Sequence, residues 1–390
     1  MQKNKYFAKS GIYICICHFF FVTLRADLIF IIMQQQTDII KPFDPSQLKV
    51  EVKNTTISSL CEMLEHEMID LQPDFQRHAN LWDHRKKSRF IESLILGIPI
   101  PSIFMYVDYS RKKWVVIDGL QRLCALSDFM VTKHMKLHGM ELLTGYEDYS
   151  FDDFPYFEQL DMTMRNITIN IISGEASLDA IYIIFKRLNS EGVALKPAEI
   201  RNALYHGPAM DLVKEIADGI EFQNVIDGAV STRRLMHHDY VSRFIAFYLK
   251  DYREYRGNMD LFLRETLSYL NETKDENVFV ELKEAFSRSL NICVTLLGKD
   301  VFRSPIMTDK KKESNPMSIT LFETMMCSVA KLTVDQENHL LRNIGLYRDM
   351  YVTLFMDPQL VKYLSQGTGK PASVRYRFEK MEEIVKKIVL

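Results

Sequence analysis

Cysteine is scarce in this chain: six in 390 residues, at positions 15, 17, 61, 124, 293 and 327. None shows the paired CxxC spacing of a zinc site, so the pattern points to free thiols, a reducing compartment and a cytoplasmic protein. An excess of one charge is lacking as well. A formal net charge of −2 does not project the positive field of a protein that coats nucleic acid, so any nucleic-acid contact must be local. There is no heptad run long enough for a coiled coil and no fixed-period repeat. No apolar run reaches the roughly 20 residues that a membrane-spanning helix needs. The chain as a whole is 47% hydrophobic and 26% charged, the mixture of a globular protein with a sizeable core and two or three domains.

The first 32 residues read differently. Lys3, Lys5 and Lys9 precede an apolar run from Ile12 to Val22, arranged like a signal peptide, with Ala26 as a cleavage position. Arg25 and Asp27 interrupt the run before it is long enough to span a membrane. Met33 is followed by the polar stretch QQQTDIIKPFD, as a natural start would be. For residues 1–44 three readings stay open: a misassigned start, a hydrophobic anchor or packed extension, and secretion, which the free cysteines disfavour. Only a genuine hydrophobic extension would bring a membrane into play. Cys15, Cys17 and His18 have no second cluster with which to complete a zinc site.

From about Leu48 the pattern becomes periodic. VEVKNTTISSLCEMLEH predicts a short strand and then a helix capped by Ser58 or Ser59, with Leu60, Met63 and Leu64 on one face. In HRKKSRFIESLILG an apolar stripe of Phe90, Ile91, Leu94 and Ile95 ends at Gly97, a helix C-cap. The basic residues Arg85, Lys86, Lys87 and Arg89 are expected on its solvated side. IPIPSIFMYVD and KKWVVIDG predict two strands, QRLCALSDFMV a helix and RNITINIIS a further strand. Beyond Leu178 the apolar spacing is helical almost throughout. The expectation is an α+β protein: an α+β domain over 45–175 and an all-helical domain over 176–390.

The chemistry concentrates at Asp118-Gly119-Leu120-Gln121-Arg122. A strand ending in glycine and leading straight into a helix leaves the helix's first N–H groups unpaired at the positive end of its dipole, where phosphate binds well. Gly119 permits close approach, Arg122 supplies a fork for phosphate oxygens, Gln121 orients a water or ribose hydroxyl, and Asp118 holds a metal ion or accepts a proton. The opposing reading is a tight turn in which Asp118 and Arg122 only pair with neighbours. Gln76 and Arg77, at the end of LQPDFQR, would face the same ligand if their strand is adjacent. In FKRLNSEGVALKPAEIRNALYHG, Asn189, Glu199, Arg201 and Asn202 would wall the pocket or form an interdomain salt-bridge network. Cys124 faces the core in this reading, beside Leu123 and Leu126.

Three strings, LQPDFQRHANLWDHRKKSRFIESLILGIPIPSIFMY, WVVIDGLQRLCALSDF and IFKRLNSEGVALKPAEIRNALYHG, together resemble the N-terminal domain family of GmrSD restriction endonucleases. The later strings STRRLMHHDYVSRFIAFYL and GTGKPASVRYRFEKMEEI look like its helical tail. That family is similar in turn to the ParB and sulfiredoxin fold, whose strand–glycine–arginine–helix turn forms a nucleotide site. The resemblance implies a nucleotide-responsive component of bacterial defence against foreign or modified DNA, with a nucleoside triphosphate and Mg2+ as cofactors. The family's turn usually reads DGQQR and is linked to nucleotide hydrolysis. Leu120 replaces its first glutamine here, which puts NTPase activity in more doubt than binding. No HNH-like nuclease pattern accompanies it, since His237-His238 and His339 are not placed as one. A partner nuclease, DNA or a second copy of the chain are the expected partners. Two other functions compete: a metal-dependent nuclease in the same pocket, with Glu199 joining Asp118, and a non-enzymatic DNA- or protein-binding module.

Overall fold

A computed structural model describes residues 48–71, 82–109, 111–172, 177–188, 196–305 and 316–390. The expected extension over 1–44, and Gln76, Arg77 and Asn189, lie outside the described residues.

The strands are β1 (Val50–Thr56), β2 (Ile69–Asp70), β3 (Ile103–Asp108), β4 (Lys113–Asp118) and β5 (Asn166–Ile172). They form one mixed sheet in the order β1-β5-β3-β4-β2, with β1·β5 and β3·β4 antiparallel and β3·β5 and β2·β4 parallel. The alternation of isoleucines in β5 does what a period of two dictates: Ile167, Ile169 and Ile171 all enter the core. Around them pack Ile103 and Met105 of β3 and Val116 of β4.

Among the described residues four α-helices accompany the sheet: α1 (Ile57–Glu65), α2 (His84–Leu96), α3 (Leu120–Leu126) and α4 (Tyr156–Met164). The N-cap of α1 is Thr56 rather than the serines that follow it. Its hydroxyl accepts the Ser59 N–H at 3.2 Å, which starts the helix early enough to bury Ile57 together with Leu60 and Leu64. Asp83 caps α2 through the Lys86 N–H at 2.8 Å, and Gly97 ends it in the left-handed region at φ 72°. Helix α3 continues into a π-helical turn, Ser127–Val131, and together they match the span expected from QRLCALSDFMV.

One expectation is overturned on α2. Lys87 is buried, not solvated, and its ammonium pairs with Asp128 of the π turn. On a helix pressed against a second helix, a lysine on the flank of the apolar stripe is enclosed, and a buried ammonium requires a carboxylate.

From Leu178 onward the described chain is helical: α5 (Leu178–Leu188), α6 (Pro197–Leu204), α7 (Pro208–Asp218), α8 (Ile220–Ile226), α9 (Met236–Leu249), α10 (Met259–Glu272), α11 (Asn277–Leu297), α12 (Ile319–Ala330), α13 (Val334–Arg342), α14 (Ile344–Leu354), α15 (Pro358–Ser365) and α16 (Pro371–Val389). The chain is thus α+β, with the sheet in its first half and helices in its second. Residues 48–390 form one compact unit. No helix among the described residues is long and apolar enough to cross a membrane.

Helices α9, α11 and α12 share an aromatic core in which Phe286 contacts Phe244, Phe322 and Phe222 of α8, and Phe322 also meets Phe222. Beside it lies a buried ionic knot. Glu323 of α12, fully enclosed, takes Arg377 of α16 at 2.6 Å and Arg243 of α9 at 2.8 Å. Arg377 also donates to the carbonyls of Tyr363 and Thr368, so its charge is met on several sides.

Candidate functional site

Helix α3 begins directly at the end of β4, so Asp118 is the last strand residue and Gly119 the N-cap. Gly119 has φ 101°, a region that penalises any residue with a Cβ. A Cβ there would also stand 3.0 Å from Ile103 of β3. Glycine is therefore required twice over, by conformation and by space.

Arg122, one turn into α3, folds back over this glycine. Its Nη2 lies 2.6 Å from Asp118 Oδ2, and its Nη1 donates to the carbonyl oxygens of Pro101 and Ser102. The guanidinium ties together the end of β4 and the entry to β3. Burial lowers its pKa from the ordinary value, with Asp118 opposing, but an arginine keeps its charge under such a shift. Its side chain is 11% exposed and that of Asp118 32%, so the pair meets solvent through the aspartate. Gln121 accepts the backbone N–H of Trp82 at 3.0 Å, which holds the approach to α2 against α3.

Leu120 leaves the turn in the opposite sense. It packs against the sheet core and against Ala198 of α6 and Leu235, which precedes α9. The side chain that stands where a glutamine was expected is an apolar link between the turn and the helical half.

The proposed pocket wall is placed on α6, and its polar groups are already engaged. Glu199 is 1% exposed, and Arg234 meets both its carboxylate oxygens at 2.9 and 3.0 Å. Arg201, 2% exposed, pairs with Asp239 of α9 and with Asp260 of α10, the latter at 2.9 Å. Asn202 is buried, and its Oδ1 has no hydrogen-bond partner among the described residues. Of the two readings held for this segment, the salt-bridge network describes Glu199 and Arg201. The Cys124 thiol is buried, with its pKa pushed up to about 12 by desolvation and by Asp128 against the pull of Lys87, which leaves it inert as a nucleophile.

Sequence reasoning missed a second polar group at the other end of β4. In the β3–β4 turn Arg111 bonds Asp108 at 2.8 Å and Asp70 of β2 at 2.7 Å. It borders a cavity of about 500 Å3 that His206 and Tyr106 also line. Burial, with Arg111 adding to it, lowers the pKa of His206. The DYSRKK turn carried a signal for part of this, an aspartate three residues before an arginine. Asp70 and His206 were not foreseeable from their neighbours.

An α+β unit with a strand–glycine–helix turn, closed by an aspartate–arginine pair, is the class that this geometry defines. Residues 57–206 match the family described as GmrSD restriction endonuclease, N-terminal domain. The match contains the turn and α6 and ends where α7 is about to begin. No curated protein and no solved structure matched the chain.

Proposed function

We propose that this chain is a nucleotide-binding component of a restriction-type defence system acting on foreign or modified DNA, and that the phosphates of a nucleoside triphosphate sit at the Asp118–Arg122 turn. A ParB/sulfiredoxin-like fold for the N-terminal half belongs to the same reading. The observation that carries it is the turn itself, within the family-matched residues: a glycine that admits no side chain, followed at once by a helix and roofed by a guanidinium.

The residues fit a phosphate. Arg122 spends part of its fork on Asp118 and on the carbonyls of Pro101 and Ser102, which fixes its plane, and its remaining N–H donors are left for an anion. Backbone N–H groups of the first helical turn lack intrahelical carbonyls. Arg77 is the second phosphate contact in this reading. The chain enters that segment from β2, parallel to β4, and returns at Trp82 on Gln121. Gln121 and Asp118 orient a water or sugar hydroxyl, and the Asp118 oxygen turned away from Arg122 is the candidate Mg2+ ligand.

Binding is favoured over turnover because Leu120 is committed to apolar contacts and has no group to position water. A metal-dependent nuclease in this pocket would need a second carboxylate, and Glu199 is bound on both oxygens by Arg234. DNA cleavage is therefore assigned to a partner protein.

The test is equilibrium binding of a panel of ribonucleoside triphosphates with Mg2+ to the full chain, wild type against Arg122→Lys. Melting curves confirm folding, and phosphate release is read in the same samples. Saturable binding that weakens about tenfold in the variant is expected, because lysine lacks the planar fork. No saturable binding by folded wild type would overturn the proposal.

A further inference from the structure

Outside the family-matched segment, three metal-ligating side chains converge between α7 and α9. Asp218 is the last residue of α7, and His237 and His238 are the second and third residues of α9. Adjacent helical residues normally point about 100° apart. Here both rings lie near the same carboxylate, and the chain turns sharply just before the helix through Arg234 and Leu235, both left-handed at φ 63° and 55°. His237 Nε2 lies 2.9 Å from Asp218 Oδ1 and His238 Nε2 3.8 Å from the same oxygen. The two rings meet edge to face, 4.4 Å between centroids, and one donor atom from each of the three residues falls within 4.8 Å of the others.

Their surroundings distinguish this group from a surface ion pair. His237 and His238 are 3% and 4% exposed, whereas the Asp218 side chain is 63% exposed. Neither ring nitrogen of His238 has a hydrogen-bond partner among the described residues. Leaving a buried polar group unsatisfied costs about 1–3 kcal/mol, so an imidazole so placed calls for a further partner. A hydrogen bond to Asp218 accounts for His237 but leaves His238 outside bonding distance of the shared oxygen.

We propose that Asp218, His237 and His238 form a site for a divalent transition-metal ion of the zinc type. Two imidazoles and a carboxylate are a donor set that such ions favour, and donors around a tetrahedral zinc stand about 3.3 Å apart, between the two spacings found here. Rotation of the exposed Asp218 side chain and small ring movements close the triangle. The negative end of α7, which carries Asp218, offsets the positive end of α9 for a cation held between them. Because Asp218 faces solvent, the ion keeps at least one open position there, as in zinc sites with three protein ligands. The ion would clamp α9 to α7 independently of nucleotide at the Gly119 turn.

The test uses the full chain stripped with a chelator and titrated with ZnCl2 by calorimetry. A parallel titration with CoCl2 follows the visible absorption. One equivalent of zinc is expected, with affinity falling at least about tenfold in Asp218→Ala and in His238→Gln, and with a zinc-dependent rise in melting temperature that Asp218→Ala abolishes. Asp218 is exposed, so its truncation opens no cavity, and this variant decides the matter if His238→Gln fails to fold. No stoichiometric zinc binding, or zinc bound equally well by Asp218→Ala, would overturn the assignment.

Discussion

Two arginine–carboxylate pairs of nearly identical length do different work in the two halves of this molecule. Arg377 and Glu323, 2.6 Å apart, are enclosed by α9, α12 and α16 and held from several sides. Arg122 and Asp118 are also 2.6 Å apart, but sit at a strand end with the aspartate one-third exposed. The separation of the charges is the same in both. What differs is the solvent each pair has given up and the number of groups that share its charge. The inner pair is committed to structure, whereas the outer one keeps its aspartate in contact with solvent.

The sharpest way to break this contrast is to remove one partner of the inner pair. Glu323→Ala should cost about 3–5 kcal/mol, because it strands Arg377 and Arg243 in the interior; denaturant unfolding reads this directly. Gly119→Ala should come next, at about 1–3 kcal/mol from left-handed strain and the contact with Ile103. Nucleotide binding in that variant should fall further than stability does. Removing the α1 cap, Thr56→Ala, is expected to cost about 1 kcal/mol with no effect on nucleotide binding, since it acts only on the Ser59 N–H.

The smallest effect concerns a carboxylate held without any arginine contact as close as these. Glu92 of α2 is buried and accepts N–H bonds from Glu141, Leu142 and Leu143 at 2.7–3.1 Å. Burial alone would raise its pKa, but the three backbone donors and Arg89 together lower it below the ordinary 4.5. A depressed folded-state pKa adds stability above the unfolded-state value, and that stability is lost as pH falls through the folded value. Wild type should therefore lose stability on acidification from about pH 5 more steeply than Glu92→Gln, as measured by melting temperature against pH. Parallel profiles would assign the acid sensitivity to other carboxylates.

Much of the fold was legible because its determinants are local. The isoleucine alternation of β5, the Gly97 cap and the strand–Gly119–helix turn each depend on residues within a few positions of one another. The N-cap of α1 was misplaced by two or three residues because TTISS offers several hydroxyls, and only the packing of Ile57 selects Thr56. Helices α13, α14 and α15 are short, and each packs against α16, which gives such short helices their hold.

Charge was harder to read than periodicity. That Asp118 and Arg122 face each other follows from a four-residue spacing on either side of a helix start. That Lys87 meets Asp128, 41 residues on, does not follow from any local pattern. Nor does Arg201 bridging Asp239 and Asp260, or the two histidines of α9 closing on Asp218. Strands β1, β3, β4 and β5, most of the helices and the turn that singles out Gly119 were legible from the residues alone, because backbone preference and hydrophobic period act over a few residues, whereas the two-residue β2 exists through its pairing with β4. Which charges are buried struts and which face solvent is settled in the folded molecule, because an ion pair is chosen by the distance between folded elements and by the water that folding excludes from around it.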